Sequence, residues 1–449
     1  MASSDAVLVL PGIMGSELRD RESGDVLWGP LDPRWYLDAW TTGRALGRLV
    51  PTDDERAGRT GRVVPVGLLK APAFAPVLRG VEPYGNLLAK LRAAVDDPRA
   101  VTGFPYDWRL PVPHNAARLA DAADRHLADW RRHSGRSDAR LVIVAHSMGG
   151  LVARHFAERL GGATQLRTLI TLGTPFFGAV AAAHILNLGK GIKIPLPAGR
   201  LGRLARTLPG LYDLLPCYRC VLEGAGPRLL TPADVQAIGG DPELAAPALA
   251  DRWGETVPAW LRVVVGVDQR TPQSLELRDG TVVPHHGLPD GPDGRMVDYG
   301  GDGTVYRHSA TGFCDRPAYW SQKHAALARM DEVVDHVRAV VTETRLGPRL
   351  PATTGVGADV PDLVTAGVPF EIMAHGDVAA SEVRCRVVTA HDGRQTARPA
   401  FTRRDGRIVA AVLLHRPGIY RVEVRRGGTS PVGSLLMALA PDDVAPAED

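Results

Sequence analysis

Cysteine is scarce in this chain, and the few cysteines present form no pattern that would organise a fold. Cys217, Cys220, Cys314 and Cys385 are the four cysteines among 449 residues. The first two have CxxC spacing, but neither a second pair nor a nearby histidine couple completes a zinc site. This pair fits a packing role in an insertion that covers the main fold (a cap), or a local disulfide, better than a redox or metal centre. We therefore expect neither a metal nor a cofactor.

Long apolar runs are also missing. The longest ones, such as residues 179–183 followed by Ile185 and Leu186, fall far short of the ~18 residues that a membrane-spanning helix needs. Residues 1–5 carry no basic segment of the kind that opens a secretory signal. We expect a cytoplasmic protein without a signal peptide or transmembrane segment, whose contact with lipid, if any, is peripheral.

Neither sign of charge is in large excess. The chain has 53 Lys and Arg residues and 50 Asp and Glu residues, for a net charge of +3. No dense basic stripe with interleaved aromatic residues is present, which argues against a nucleic-acid partner. Hydrophobic residues make up 45% of the chain, enough for a sizeable core, and the length favours two or three domains.

The most informative feature that is present lies around Ser147. A β-branched apolar run over residues 141–144 precedes this serine, and a helix-like run over residues 151–157 follows it. Such a strand-turn-helix segment is typical of a nucleophile elbow, whose tight turn needs small residues two before and two after the serine. Ala145 and Gly149 meet that need. On this segment alone, a glycine-rich turn between two core elements is the alternative.

An elbow also predicts an oxyanion site. Its turn leaves the N–H of Met148 at a helix N-terminus, where the partial positive charge stabilises a developing oxyanion. Near the start of the chain, the apolar run over residues 6–10 is followed at once by Pro11 and Gly12. A loop after an early strand supplies the second oxyanion N–H in serine hydrolases of this kind. A plain turn at the end of a strand is the alternative for this loop.

The orienting acid of such an enzyme follows the serine in the chain. Asp302 lies in a glycine-flanked loop over residues 299–305, downstream of a strand-like run over residues 261–267. Asp302 is our candidate for the acid. Asp298, four residues earlier, is its rival, and Asp268 is a weaker one.

The general base must follow the acid. Of the 14 histidines, His324 stands downstream of Asp302 where a loop enters a helix, and it is our candidate. His308 is its competitor. His285 and His286 precede Asp302, so they do not match the expected chain order, in which the base follows the acid.

Five segments in this order resemble the lecithin:cholesterol acyltransferase-like group of α/β-hydrolases, which includes lysosomal phospholipase and related acyltransferases. They are residues 9–18, the PYDWRL hexapeptide at 105–110, the Ser147 elbow, residues 172–178 and residues 301–305. The hexapeptide is the most specific of them, and residues 208–216 resemble a cap segment of that family. Members with a lid disulfide have cysteines in the N-terminal insertion, and this chain has none there.

The resemblance implies a role for each candidate residue. Ser147 would be the nucleophile, Asp302 and His324 its acid and base, and the N–H groups of Met14 and Met148 the oxyanion hole. A serine hydroxyl is a weak nucleophile at neutral pH, so an imidazole must take its proton while a carboxylate orients that imidazole.

Alternating strand and helix patterns over residues 1–345 predict a mostly parallel sheet with helices on both faces, interrupted by two insertions. The resemblance implies that this is an α/β-hydrolase domain. The first insertion, about residues 17–82, carries Trp28, Trp35, Tyr36 and Trp40. The tryptophans are candidates for lining an acyl-binding pocket, and the core of a lid is the alternative.

The second insertion, about residues 180–258, mixes basic and apolar residues. The basic residues are Lys190, Lys193, Arg200, Arg203 and Arg206. This pattern suggests a cationic amphipathic lid that rests on a lipid surface. The solvated face of a cap helix is the alternative.

The composition changes after residue 345. Residues 346–357 are typical of a linker, and residues 358–441 show short alternating segments separated by tight Asp-Gly turns. This pattern predicts an immunoglobulin-like β-sandwich, followed by an acidic tail at residues 442–449. Nothing in the sandwich looks catalytic, and its ligand or partner is unknown.

These features together predict a serine-dependent acyltransferase or hydrolase that acts on a lipid ester through an acyl-Ser147 intermediate. One alternative is an esterase for a soluble ester or a protein-bound acyl group. Another is a non-catalytic binding or scaffold protein built on a hydrolase fold.

Overall fold

The computed structural model describes most of the chain. The described residues are 3–29, 35, 38–39, 41–56, 58–69, 83–190, 197–224, 226–251, 256–290, 293–344, 355–361, 363–390, 392–427 and 431–440. Most of the predicted linker and the whole acidic tail lie outside them, as do Tyr36, Trp40 and Lys193.

Strands occur along the whole described chain. In chain order they are β1 (Ala6–Leu10), β2 (Ser16–Asp20), β3 (Val26–Trp28), β4 (Val63–Leu68), β5 (Val101–Gly103), β6 (Leu141–His146), β7 (Leu166–Leu172), β8 (Val221–Glu223), β9 (Gly226–Arg228), β10 (Leu261–Gly266), β11 (Ser274–Arg278), β12 (Thr281–His285), β13 (Leu288–Asp290), β14 (Arg295–Val297), β15 (Ala318–Trp320), β16 (Gly357–Asp359), β17 (Leu363–Thr365), β18 (Phe370–His375), β19 (Val383–Thr389), β20 (Gln395–Ala397), β21 (Thr402–Arg404), β22 (Arg407–Val412), β23 (Gly418–Arg426) and β24 (Val432–Leu439).

The α-helices all precede the last nine strands. They are α1 (Arg44–Gly47), α2 (Asp53–Arg56), α3 (Gly85–Arg92), α4 (Val112–Ser134), α5 (Met148–Arg159), α6 (Val180–Leu188), α7 (Ala198–Ala205), α8 (Pro209–Tyr212), α9 (Pro232–Ala237), α10 (Pro242–Ala250), α11 (Arg307–Thr311) and α12 (Asp331–Val341). Short 3-10 turns lie at Pro98–Ala100, Gly162–Thr164, His324–Ala326 and Ala380–Glu382.

A six-stranded parallel sheet forms the centre of the molecule, in the order β15-β10-β7-β6-β1-β5. Every residue of β1 and β6 is buried, as expected for parallel strands covered by helices on both faces. Because all six strands run in the same direction, their carboxyl ends lie along one edge, which is where open α/β sheets bind ligands.

Helix α4 shows why these elements pack around the sheet. Its buried side chains include Leu119, Ala123 and Leu127, spaced four residues apart on one stripe, and the helix contacts α5 and β1. This amphipathic pattern is visible in the sequence and positions α5, the helix that follows Ser147.

The insertions share this core instead of forming separate ones. In the first insertion, β2, β3 and β4 form an antiparallel sheet in the order β3-β2-β4. Leu18, Leu27, Trp28 and Leu49 from this region belong to the same hydrophobic cluster as β1 and β6. In the second insertion, α6 to α10 accompany β8 and β9, which join β11 and β12 in a four-stranded sheet.

Two further sheets follow α12, in the orders β16-β18-β22-β21 and β17-β24-β23-β19-β20. Their inward residues, among them Ile372, Ala410, Val387 and Val422, form a second hydrophobic cluster. The predicted fold class, an α/β-hydrolase followed by an all-β sandwich, is confirmed.

Candidate active site

Ser147 lies at the turn between β6 and α5, at the carboxyl edge of the parallel sheet. Its backbone has φ 53° and ψ −125°, a strained conformation for a residue with a side chain, and the serine is 6% exposed. Strain of this kind is expected at a nucleophile elbow. A Cβ atom on Gly149 would collide with the carbonyl oxygen of Pro11, so the small residue predicted after the serine is required by the close approach of two chains.

The structure brings Ser147, His324 and Asp302 together in a row. His324 Nε2 lies 2.9 Å from Ser147 Oγ, and His324 Nδ1 lies 2.7 Å from Asp302 Oδ2. Because a carboxylate only accepts, Nδ1 carries the hydrogen and Nε2 is free to accept the serine proton. The three side chains come from segments as far as 177 residues apart.

Asp302 is held rigidly. Only 1% of it is exposed, and its Oδ1 accepts hydrogen bonds from the N–H groups of Thr304 at 3.0 Å and Val305 at 2.7 Å. The main-chain N–H of His324 donates to the carbonyl oxygen of Asp302 at 2.8 Å. These bonds leave Oδ2 directed at the imidazole, the arrangement needed to orient a general base.

The rival acids have other partners. Asp298 accepts hydrogen bonds from the Gln273 side chain at 2.5 Å and from the Gly300 N–H at 2.8 Å. Asp268 accepts one from the Ser321 hydroxyl at 2.5 Å, and burial raises the pKa of its carboxyl. Neither contacts His324 in the described structure.

The competing histidine also lies elsewhere. His308 stacks on Tyr306, with ring centroids 5.1 Å apart, and its Nε2 lies 3.1 Å from the guanidinium of Arg307. His285 Nε2 lies 3.2 Å from the carboxylate of Glu276.

The two expected oxyanion donors flank the serine. Met148 is the first residue of α5, so its N–H has no partner within the helix. Met14 has φ 62°, and its carbonyl oxygen accepts a hydrogen bond from the Trp28 indole at 2.8 Å. In the part of the chain that the structure describes, neither N–H donates a hydrogen bond.

Of the three tryptophans considered for an acyl pocket, Trp28 is 1% exposed and packs edge-on between Trp35 and Trp108, at centroid distances of 5.7 and 5.3 Å. This favours the lid-core alternative for Trp28, whose indole contacts the loop at residues 11–15, the candidate oxyanion loop. Trp35 is half-buried against the same core, and Trp40 lies outside the described residues.

Two parts of the site were missed by sequence analysis. His146 and Tyr84 are buried next to the row of three, and Tyr84 Oη lies 3.1 Å from His146 Nδ1. Gln322, two residues before His324, bonds to the C-terminal sandwich. The position of His146 beside the serine was a visible signal, but its partner Tyr84 is 62 residues away and only the fold pairs them.

A cavity of about 540 Å³ adjoins the elbow helix. Leu151 and His155 of α5 line it, together with Phe176, Asp213 and Leu244. Ser147 is not among its lining residues. The cap segment predicted over residues 208–216 therefore forms a wall of a neighbouring cavity.

The described residues contain no group of three or more His, Cys, Asp or Glu side chains arranged to hold a metal ion, and no disulfide joins any of the four cysteines. The local disulfide considered for Cys217 and Cys220 is therefore absent from the structure. Among the same residues, no helix is both long and apolar enough to cross a membrane.

Comparison with known proteins gives one family match. Residues 79–227 match the family model described as lecithin:cholesterol acyltransferase. This segment is similar to the lecithin:cholesterol acyltransferase family. The match confirms the resemblance found in the sequence, and it contains Tyr84, the PYDWRL hexapeptide, the Ser147 elbow and the cap segment. Asp302 and His324 lie beyond the matched residues.

Two solved bacterial structures are similar to this chain along most of its length. The lipase BlEst2 of Bacillus licheniformis in its propeptide form is 9% identical, covers 97% of this chain and 93% of its own, and has a TM-score of 0.35. Phospholipase PlaB of Legionella pneumophila is 9% identical, covers 96% and 90%, and has a TM-score of 0.22. Because both TM-scores are low, the likeness to the family depends on the family model alone. No curated protein matches the chain.

The hexapeptide of the family segment contains a buried ion network. Arg109 is fully buried and donates to Asp107 through two nitrogens, at 2.9 and 2.7 Å, and to Glu55 at 2.8 Å. A fourth bond, at 3.1 Å, goes to the carbonyl oxygen of Leu49. Glu55 and Leu49 belong to the first insertion, so the hexapeptide anchors that insertion to the segment that matches the family model. Removing one partner of such a buried pair costs about 3 to 5 kcal/mol.

Proposed function

We propose that this protein is a serine acyl-transfer enzyme that acts on a lipid ester through an acyl-Ser147 intermediate. The single observation that carries the proposal is the continuous row from Ser147 Oγ to His324 to Asp302, with contacts of 2.9 and 2.7 Å. The family match over residues 79–227 supports ester acyl transfer or hydrolysis of a lipid as the reaction class.

In the first half of the proposed reaction, His324 Nε2 takes the proton of Ser147 Oγ as Oγ attacks the ester carbonyl carbon. Asp302 stabilises the imidazolium that forms. The carbonyl oxygen gains negative charge and accepts hydrogen bonds from the N–H groups of Met14 and Met148, each worth about 3 to 4 kcal/mol. His324 then gives its proton to the leaving alkoxide as the C–O bond breaks, which leaves acyl-Ser147.

In the second half, His324 takes a proton from the acceptor, whose oxygen attacks the acyl carbon. Water as acceptor releases a free acid, and an alcohol releases a new ester. In both cases His324 returns the proton to Ser147 Oγ, so the enzyme is regenerated. The shape of the cap around the acceptor decides between the two outcomes.

Peripheral contact with a lipid surface through the second insertion is part of this proposal. Lys190 and Arg203 are exposed there. Arg200 and Arg206 instead donate to main-chain carbonyl oxygens, Arg200 to Ala39 at 2.7 Å and Arg206 to Leu186 at 2.9 Å. Among the basic residues of this pattern that the structure describes, Lys190 and Arg203 are therefore the ones available to an anionic lipid.

The test is a labelled phospholipid, carrying its label in one acyl chain, incubated with and without a long-chain alcohol. Labelled free acid identifies a hydrolase, and a labelled alkyl ester identifies an acyltransferase. Both products must disappear with Ser147→Ala, while His308→Gln serves as a matched control outside the row. Turnover of short monomeric esters with no rise when micelles form would favour the soluble-ester alternative. Lack of any turnover by the folded wild type would contradict the proposal.

A further inference from the structure

Behind the Ser147 and His324 pair lies a second histidine that the proposed reaction does not use. His146 is the last residue of β6 and is 8% exposed. Its ring centroid lies 5.0 Å from that of His324 and 5.9 Å from that of Tyr84, the residue before α3. These contacts place His146 between the proposed base and the loop that carries Met14.

The hydrogens of this group can be assigned from its partners. His146 Nε2 lies 3.1 Å from the carbonyl oxygen of His324, which only accepts, so Nε2 carries the hydrogen. A neutral imidazole has one N–H, so Nδ1 accepts from the Tyr84 hydroxyl at 3.1 Å. That hydroxyl in turn accepts from the N–H of Gly12 at 2.9 Å. The hydrogen bonds therefore run in one direction, from Gly12 through Tyr84 and His146 to His324.

The neutral state of His146 is built into the site. Burial, and next the charge of His324, lower the pKa of His146 to about 3. The titratable groups that face it are Tyr84, on the segment entering α3, and His324, on the loop after β15; its neighbour on its own segment is Ser147. Burial also raises the pKa of Tyr84 well above its usual range, so this hydroxyl keeps its proton.

From this geometry we propose that His146 and Tyr84 are positioning residues, which fix the backbone of His324 and couple it to the oxyanion loop through Gly12. The inference depends on the proposed function, because it assigns the pair to the reaction at Ser147. Both residues act through others and neither touches the reacting atoms.

Two consequences follow from the direction of the bonds. Loss of the Tyr84 hydroxyl leaves the buried Gly12 N–H and His146 Nδ1 without partners, which costs free energy at both ends of the chain of bonds. A proton on His146 would also leave the Tyr84 hydrogen without an acceptor. The added charge would oppose the imidazolium that forms on His324 during the reaction.

The chain offers a matched control for Tyr84→Phe. Tyr106 is also buried, and its hydroxyl donates to the carbonyl oxygen of Pro11 at 2.9 Å. Pro11 is the neighbour of Gly12, so Tyr106→Phe removes a hydrogen bond to the same loop without removing a partner of His146. A purely structural role for these hydroxyls predicts similar effects in both variants, whereas our proposal does not.

The first measurement is the rate at which a fluorophosphonate modifies Ser147 in the full-length protein. We expect Tyr84→Phe to react about 10- to 100-fold more slowly than Tyr106→Phe. We also expect His146→Gln, whose amide still donates towards His324, to react faster than His146→Leu, whose side chain cannot. Equal rates for the two tyrosine variants, or no rescue by glutamine, would overturn the proposal.

The second measurement does not need activity. In the full-length protein with ¹⁵N-labelled histidine, nitrogen chemical shifts distinguish the two neutral tautomers. We expect His146 to carry its hydrogen on Nε2 throughout the neutral pH range, and Tyr84→Phe to change the Nδ1 shift. A hydrogen on Nδ1, or a cationic His146 at neutral pH, would overturn the proposal. Failure of the wild type to react with fluorophosphonate would count against the proposed function instead. The tautomer of His146 would still test the hydrogen bonds from Gly12 to His324.

Discussion

The side-chain amide of Gln322 donates a hydrogen bond to the carbonyl oxygen of Pro431, which directly precedes the last strand of the sandwich. The amide oxygen accepts from the N–H of Gly433 at 3.5 Å, and the side chain is 1% exposed. Gln322 stands two residues before His324. The C-terminal sandwich therefore holds the loop that carries the proposed base.

A second set of hydrogen bonds joins the same parts of the molecule. Asp268 Oδ2 accepts from the Ser321 hydroxyl at 2.5 Å and from the N–H of Gly355 at 3.1 Å. One carboxylate thus connects the segment after β10, the His324 loop and the segment that leads into β16. No catalytic group was expected in the sandwich, and these contacts give it a structural role at the site.

We predict that Gln322→Leu lowers kcat about tenfold with little change in KM, because small displacements of a catalytic group are costly. Leucine has nearly the same size but leaves the Pro431 and Gly433 groups unpaired. Steady-state kinetics on a short ester measures the effect. Gln395→Leu, on the exposed face of β20, is the control and should behave as wild type. An unchanged kcat for Gln322→Leu would refute the role given to this contact.

We predict that Asp302→Asn lowers kcat by about 10⁴-fold while the protein stays folded. The Asn oxygen can still accept from Thr304 and Val305, but its amide nitrogen would face His324 Nδ1 and favour the wrong tautomer. Kinetics and thermal unfolding, measured side by side, separate the two effects. Asp298→Asn is the matched control, and equal losses in both variants would show that Asp302 has no special part in the reaction.

We predict that Gly12→Ala abolishes most activity. An added Cβ atom would lie 2.9 Å from Ser147 Cβ and 3.0 Å from His146 Nδ1, closer than such atoms approach. The oxyanion loop must therefore shift away from the serine. Gly47→Ala, at the end of α1 where a Cβ atom meets nothing within 4 Å, is the control. The measurement is the rate of ester hydrolysis, and a fully active Gly12→Ala would contradict the tight approach.

We predict that Asp213 makes stability fall as pH rises. Its Oδ2 accepts from the Val112 N–H at 2.6 Å, and burial raises the pKa of its carboxyl from 3.8 to about 7. Between these values the folded state binds the proton more tightly than the unfolded state, so this stabilisation is lost as pH rises through about 7. Asp213→Asn keeps an acceptor for Val112 and carries no titrating proton.

The measurement is the melting temperature of both proteins at about pH 5 and about pH 8. The variant should gain stability relative to wild type at the higher pH. Comparing the two proteins cancels the contributions of the other titrating groups, which they share. A difference in melting temperature that does not change with pH would refute the assignment.

The fold class was predictable because each part has a local signature. The buried runs of β1 and β6, the amphipathic α4 and the alternating residues of the sandwich strands follow directly from hydrophobic periodicity. The row at Ser147 was predictable for a different reason: the small residues beside the serine and the chain order of acid and base restrict the choice.

The supporting contacts were not predictable from the sequence. Tyr84 pairs with His146 across 62 residues, and Gln322 pairs with Pro431 across 109. No periodicity or motif links such positions, because the packing of distant elements decides which side chains meet. The role of Trp28 also depended on the packing of distant elements. The sequence around a tryptophan does not show whether its indole packs beside an oxyanion loop or lines an acyl-binding pocket.

The central claim is that Ser147 is an activated nucleophile. The most direct test is the intact mass of the full-length protein after exposure to a fluorophosphonate, for wild type and Ser147→Ala together. Our account predicts a single adduct on the wild type and none on the variant. A folded wild type that stays unmodified, or an adduct that persists in Ser147→Ala, would contradict it.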